Sequence, residues 1–327
     1  GDLIFCRHTL NSVPSGWKYI KDDAIGFGLY APAQGDQRGF RQPSASRKQS
    51  KKTAKALTEL MPVAVRHRHY SEIFDALGGR LHPVDRADLD RRGVTPDQIK
   101  RWQITTLNPY QGIGDYPLNL PGVSRNGNSL ANPKAGYAVP TVDPDGQITS
   151  LGQIKVRDPE PGSGKYKWVK GRASAHLPNG HMPLQVMRPG VYSEWRDHLF
   201  LCEGLGVKPG LASDKLGAIV IGASGGNFVS NAQDKRSQPG QLLSDYVAKI
   251  APKHFVLLPD GGAVSNPNVV NGYAKLAKFA RDHGKELQVF WWNQITKGDG
   301  DIDEIDAQTL TDASLISWRQ FQQIAVA

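Results

Sequence analysis

His198-Leu199-Phe200-Leu201-Cys202-Glu203-Gly204 is a short apolar run that ends on a carboxylate, and the same layout recurs twice downstream. His254-Phe-Val-Leu-Leu-Pro259 leads into Asp260, and Leu287-Gln-Val-Phe-Trp-Trp292 is followed by Asp299, Asp301 and Asp303. A further apolar run occupies residues 217–222. Runs this short, rich in Val, Ile, Phe and Trp and separated by helix-like segments, predict buried parallel strands in an α/β sheet. The intervening helices are expected at 240–251, through Leu242, Leu243, Tyr246, Val247 and Ile250, and at 268–283, through Val269, Val270, Tyr273, Leu276 and Phe279. In such a sheet the carboxyl ends of the strands line one crevice, so residues far apart in sequence converge there. Carboxylates gathered in that way repel one another unless a cation lies between them. Hard oxygen ligands suit Mg²⁺ or Mn²⁺, the metals of phosphoryl transfer. The turn Gly222-Ala-Ser-Gly-Gly226 either admits a phosphate to its backbone N–H groups or serves only the turn.

A chain of 327 residues is long enough for two domains and an appended arm. Its 40 Lys and Arg residues outnumber 31 Asp and Glu, for a formal net charge of +9. A basic protein with an acidic cluster points to a polyanionic substrate handled by metal-assisted chemistry, nucleic acid first; the alternative is a merely basic surface. Cys6 and Cys202 are too few for a disulfide framework or a zinc ribbon, which makes the reducing cytoplasm the expected compartment. No run approaches the roughly 18 apolar residues of a membrane span, and the N-terminus lacks a signal-peptide pattern. A start at Gly1-Asp2 leads us to expect a fragment or processed chain with neighbouring domains missing.

Residues 1–62 read as a basic, irregular N-terminal region. Its stretch Arg47-Lys-Gln-Ser-Lys-Lys-Thr-Ala-Lys55 is either a solvated loop or a phosphate-binding arm. Residues 63–195 read as a helical lead-in followed by a mixed α+β, DNA-binding subdomain. Helical segments stop at Gly78-Gly79 and at Gly93, and Thr95-Pro96-Asp97-Gln98 has the cap, first-turn proline and capping-box residues of a new helix. Asp143-Pro-Asp-Gly146 between strand-like runs 136–142 and 147–156 predicts a hairpin. In Lys165-Tyr-Lys-Trp-Val-Lys170 the strand period puts Lys165 and Lys167 on one face and Tyr166 and Trp168 on the other. Either the basic row holds phosphates while the aromatic row enters the core, or this is an edge strand guarded by lysines. Lys155, Arg157, Lys165, Lys167, Lys170 and Arg172 are the expected nucleic-acid contacts. Residues 196–306 carry the α/β unit, and 307–327 read as a helical tail. No internal repeat or heptad is visible.

Glu203-Gly204, the Asp260 motif and Lys297-Gly-Asp-Gly-Asp-Ile-Asp-Glu304, each after a strand, resemble the three signatures of the TOPRIM fold. That fold is shared by bacterial-type primases, type IA and type II topoisomerases and some nucleases. Upstream, Gly136-Tyr-Ala-Val-Pro140, Asp145-Gly146 and Lys165-Tyr166 resemble the basic subdomain that precedes TOPRIM in primase catalytic cores, and Asp90-Arg-Arg-Gly-Val-Thr-Pro-Asp-Gln-Ile99 fits its helical lead-in. Residues 66–306 as a whole are similar to the TOPRIM-like domain of plasmid and phage replication proteins of cyanobacterial type, where a helicase-like region often follows. The resemblance implies a TOPRIM-like parallel sheet flanked by helices, preceded by a primase-core-like subdomain. It makes Glu203 a general acid/base or first metal ligand, Asp260 a metal ligand, and Asp301 and Asp303 the last acidic motif. Lys297 becomes a phosphate contact and Lys208 a cationic contact beside the first motif. The second signature is normally Asp-x-Asp, and here it reads Asp260-Gly261-Gly262. That departure leaves room for one-metal chemistry or for recruitment of Asp299. The zinc ribbon of primases is missing, so template recognition falls to another element.

Arg66-His67-Arg68-His69-Tyr70 has the His-x-His spacing of rolling-circle nickases, but Arg68 stands where a strand would need an apolar residue, so these histidines read as surface or phosphate contacts. The expected activity is primase-like: metal-dependent nucleotidyl transfer from ribonucleotides on single-stranded DNA, with a helicase domain or partner and no membrane. The alternative is a nicking, relaxase-like or topoisomerase-like enzyme in which Tyr70, Tyr137, Tyr166 or Tyr246 attacks single-stranded or origin DNA. A DNA-binding module with a degenerate site is the third reading.

Overall fold

The computed structural model describes residues 4–6, 17–22, 28–32, 61–169, 182–229 and 240–326. The chain divides into two units, residues 1–57 and 58–327. In the first, β1 (Ile4–Cys6), β2 (Trp17–Asp22) and β3 (Gly28–Pro32) form an antiparallel sheet in the order β1-β3-β2. Sequence reading found only an irregular region here, because strands of three to six residues are too short to display a period. The basic stretch 47–55 lies outside the described residues.

The second unit opens with three helices, α1 (Val63–Leu77), α2 (Pro83–Arg91) and α3 (Pro96–Arg101). The predicted stops at Gly78 and Gly93 hold, and so does the capping box: Gln98 N–H donates to Thr95 Oγ1 at 3.2 Å while Thr95 N–H donates to Gln98 Oε1 at 2.8 Å. The β-rich segment yields β4 (Thr105–Leu107), β5 (Gly136–Ala138), β6 (Thr141–Val142), β7 (Ile148–Ser150), β8 (Gln153–Val156) and β9 (Tyr166–Trp168). Four of these make an antiparallel sheet, β4-β5-β8-β9, and β6 pairs with β7. The expected hairpin at 143–146 is present, with the Asp143 carboxylate accepting from the N–H groups of Asp145 and Gln147, both at 2.9 Å. Its flanking runs are each broken in two, and the pieces join different sheets.

A six-stranded sheet follows in the order β10-β12-β11-β13-β14-β15, made of β10 (Leu184–Met187), β11 (His198–Glu203), β12 (Ile219–Ala223), β13 (His254–Leu258), β14 (Leu287–Trp291) and β15 (Ser314–Ser317). The four central strands are the four apolar runs of the sequence and are mutually parallel, whereas β10 and β15 are antiparallel edges. The sheet therefore reaches beyond 196–306 on both sides, and the C-terminal segment is a strand between two helices, α7 (Ala307–Asp312) and α8 (Trp318–Val326).

Both faces of this sheet are covered, as the unbroken apolar runs require. Alternate residues Leu199, Leu201, Ile221, Leu257 and Val289 pack with α5 (Gln241–Ile250), α6 (Pro267–Asp282) and α8. Phe200, Cys202, Val220, Val256 and Phe290 face the opposite way, toward α4 (Val207–Leu216) and residues of α2, α3 and β5. Burying some twenty apolar side chains per face, each worth about 1.5–3 kcal/mol, is what holds the sheet between its helices. A side chain at Gly210 of α4 would meet the Trp102 ring at 2.8 Å, so glycine is what lets α4 press onto the lead-in. None of the described helices is long and apolar enough to cross a membrane.

Candidate active site

Parallel strands end together, and β11, β13 and β14 deliver their carboxylates to one side of the sheet. Glu203 is the last residue of β11, Asp260 follows β13, and Asp301 and Asp303 lie in the loop after β14. These residues floor a cleft of about 930 Å³, joined by Lys208 from α4, Ser224 and Gly225 after β12, and Glu304. The opposite wall comes from the antiparallel sheet and α2: Gln153 and Lys155 of β8, Lys165 and Tyr166 at β9, and Arg91 with Arg92 at the end of α2.

Lys208 stands between two of the acids, its Nζ donating to Asp260 Oδ1 at 2.5 Å and to Asp301 Oδ2 at 2.7 Å. The other oxygen of Asp301 accepts the Gly261 N–H at 2.9 Å. Burial pushes the Asp260 carboxyl up to about 6; Lys208 opposes the shift, while Asp301 and Glu203 add repulsion. Burial likewise raises Glu203, against the pull of Lys208 and Lys297 and with the repulsion of Asp301. No described side chain hydrogen-bonds the Glu203 carboxylate, although the residue is half-buried. The neighbouring Cys202 thiol is buried and raised by that burial, so it is inert.

Asp303 and Asp299 are engaged elsewhere. Arg92 Nη2 donates to Asp303 Oδ2 at 2.6 Å. Asp299 is exposed and caps its own turn, accepting from the Thr296 N–H at 2.6 Å and from Thr296 Oγ1 at 3.0 Å, so it is not recruited to the cluster. Lys297 is exposed beside the site.

The basic wall is ordered by a chain of contacts. Lys155 Nζ and Tyr137 Oη both donate to Asp88 Oδ2, at 2.8 and 3.0 Å, and Arg92 Nη1 donates to Tyr137 Oη at 3.3 Å. Burial works against the Asp88 charge, yet bonds from Lys155, Arg91 and Tyr137 prevail and hold its carboxyl down at about 2. Arg157 forms a fork with the buried Asp85, at 3.1 and 2.7 Å, and serves structure away from the cleft. Lys167 is exposed and does not line the cleft, while Lys170 and Arg172 fall outside the described residues. The expected aromatic row does not enter the core: Tyr166 is 43 % exposed and sits at the cleft with Lys165. Among the described residues β9 is the edge of its sheet.

Three of the four candidate tyrosines are shut away, and burial raises each hydroxyl's pKa. Tyr70 donates to the Pro121 carbonyl at 2.8 Å, Tyr137 belongs to the Asp88 network, and Tyr246 is packed beneath the sheet. Tyr166 alone of the four reaches the cleft with an exposed ring. His67 accepts the Ile148 N–H at 3.1 Å and His69 pairs with Glu72 at 3.3 Å, so these half-buried rings, expected as surface or phosphate contacts, make local contacts within the fold. Sequence reasoning overlooked Arg91, Arg92, Gln153 and Ser224. The arginine pair was visible at a helix C-terminus, where favourable interaction with the helix dipole already accounts for a cation.

Among the described residues no three His, Cys, Asp or Glu side chains group tightly enough to cage a metal alone. The residues that are present nevertheless fit one hard cation. Among the described residues Glu203 has both oxygens unengaged and Asp260 has one, and burial raises the carboxyl of each. Mg²⁺ typically takes one or two carboxylates and completes its shell with water and phosphate oxygens. A second acidic ligand at position 262 would be strained: Gly262 has φ of +74°, and a Cβ there would lie 3.1 Å from the Lys297 backbone nitrogen.

No protein-family model matches the chain, and no curated protein matches it in sequence. Solved structures do. A structure of the DnaG catalytic core aligns over 78 % of this chain and 82 % of its own, with a TM-score of 0.53 at 13 % identity. The DnaG primase catalytic domain bound to ssDNA aligns over 79 % and 84 %, with a TM-score of 0.51 at 14 % identity. The RNA polymerase domain of Mycobacterium tuberculosis primase DnaG, in complex with a double-stranded DNA oligomer with a 6-nucleotide overhang, aligns over 80 % and 82 %, with a TM-score of 0.51 at 12 % identity. The mixed subdomain followed by a helix-covered, largely parallel sheet is thus the fold of primase catalytic cores.

Proposed function

We propose that this chain is a replication protein of plasmid or phage type that carries out primase-like nucleotidyl transfer on single-stranded DNA, dependent on Mg²⁺ or Mn²⁺. The observation that carries the reading is the meeting of Glu203 and Asp260 at strand ends, beneath a wall formed by Lys155, Lys165 and Arg91. Glu203 and Asp260 would hold the metal, which when bound neutralises charge building on the transferring phosphoryl group. Lys165 and Arg91 supply point charges and forks for phosphates of template or nucleotide. Tyr166 offers its exposed ring as a platform on which a base stacks without regard to sequence. Asp88 holds Lys155 in place, and Arg92 ties the basic wall to the acidic loop, so both walls keep their spacing as substrate enters. Ribonucleotides and a helicase, attached or separate, are the expected partners.

A second reading follows from the placement of Tyr166, the one candidate nucleophile open to the cleft: strand nicking through a phosphotyrosine, as in relaxases and topoisomerases. One experiment separates the two. The chain is incubated with single-stranded and supercoiled DNA and Mg²⁺ or Mn²⁺, with and without ribonucleotides, and products are resolved on a denaturing gel before and after protease. New oligomers that need ribonucleotides support priming. Cut strands released from bound peptide by protease support nicking, and neither product leaves a DNA-binding module.

A further inference from the structure

We infer that Lys208 supplies the second positive charge of this site, in the place a second divalent cation would take, so that the chain binds one metal ion at Glu203 and Asp260. The inference rests on the metal-dependent reading above and goes beyond it by fixing the number of metals and naming what stands in for the other.

The oxygens available decide the count. Asp301 is fully used, with one oxygen on Lys208 and the other on the Gly261 N–H. Asp303 is held by Arg92 and Asp299 by Thr296. Among the described residues Asp260 gives one oxygen to Lys208 and keeps one, Glu203 keeps both, and Glu304, which also lines the cleft, accepts the Asp301 N–H on one oxygen at 3.2 Å and keeps the other. The free oxygens at the strand ends themselves belong to Glu203 and Asp260, enough for one hard cation with water and phosphate.

Charge points the same way: Lys208 bonds both Asp260 and Asp301 and so already offsets part of the negative charge that these two and Glu203 bring together. The Lys208 side chain is only 13 % exposed, so its ammonium is a fixed part of the floor and cannot be exchanged for solvent. At position 262, where a further carboxylate would call for another metal, a side chain is disfavoured by the positive φ and by the nearby Lys297 backbone. A charge built into the fold needs no recruitment and no reorganisation during the reaction.

Titration of the whole chain with Mn²⁺, without DNA or nucleotide and followed by electron paramagnetic resonance, tests this. The unaltered chain is expected to saturate at one ion, Lys208→Arg at one, and Lys208→Met at two, because the neutral side chain leaves three carboxylates to be balanced. Thermal unfolding in EDTA checks that each variant is folded. One ion on folded Lys208→Met overturns the inference. Two ions on the unaltered chain overturn it without recourse to any variant while leaving the metal-dependent reading intact. No bound ion on the unaltered chain overturns both.

Discussion

Arg92, the C-cap residue of α2, donates to Asp303 at 2.6 Å, so a side chain of the helical lead-in closes over the last acidic motif of the parallel sheet. The two are 14 % and 7 % exposed, and the same guanidinium reaches Tyr137. Removing one partner of a pair this enclosed strands the other charge. Arg92→Ala is expected to lower stability by about 3 kcal/mol, with Asp303→Ala together with Arg92→Ala recovering part of the loss. Urea unfolding of the two single variants and the double variant measures it; additive losses would mean that the pair is not coupled.

Glu203→Gln and Asp260→Asn each remove a charge from the cleft floor without changing its shape. Both are expected to abolish nucleotide transfer and to leave affinity for single-stranded DNA within about twofold, since the proposed phosphate contacts lie on the opposite wall. Product formation on gels and fluorescence anisotropy with a labelled oligonucleotide give the two readouts. Persistent transfer in both variants would remove the site assignment.

Asp88 makes a pH prediction with a definite sign. Its carboxyl is held at about 2 in the fold against 3.8 ordinarily, so the native state favours the ionised form. That stability is fully present above pH 3.8 and is lost as pH falls through 2. Screening at a site open on one side leaves roughly 1 kcal/mol of it. Asp88→Asn is expected to unfold earlier than the unaltered chain at pH 7, and the gap should narrow as pH drops from 4 toward 2. A gap independent of pH would show that packing, and not charge, is what Asp88 contributes.

Tyr166 distinguishes a platform from a nucleophile. Tyr166→Phe is expected to retain both DNA binding and transfer, while Tyr166→Ala weakens binding by roughly 1–3 kcal/mol. Anisotropy titrations at matched salt measure the change. Loss of all activity in Tyr166→Phe, with a covalent peptide adduct in the unaltered chain, would replace priming by nicking.

The central strands were legible because a parallel sheet covered on both faces demands continuous apolar runs, and Leu199 through Cys202 or Phe255 through Leu258 satisfy no other environment as well. The carboxylates after them were legible for a topological reason, since the ends of parallel strands share one crevice. Leu184–Met187 and Ser314–Ser317 escaped because four residues on an edge show neither period nor length. For Tyr166 alternation predicts opposite faces but not which face is covered, so it leaves open a core-facing aromatic row or an edge strand; the outcome depends on β9 lying at a sheet edge, a fact of pairing and not of local sequence. Arg92 belongs to the helical lead-in motif, yet its partner is far away along the chain, and nothing local marks so distant an ion pair.

Trp291 pairs in register with Ser314, and the two strands they belong to run antiparallel. The segment bearing Asp299, Asp301 and Asp303 is therefore the loop of a long hairpin with both feet on the sheet, whereas Glu203 and Asp260 precede crossovers that must carry a helix back over it. Hairpin loops can grow, shrink or be exchanged without rethreading a sheet; crossovers cannot. Of the three acidic stations, the third alone sits on a connection whose length the sheet does not dictate, and it is held in place from outside the hairpin, by Arg92 and Lys208.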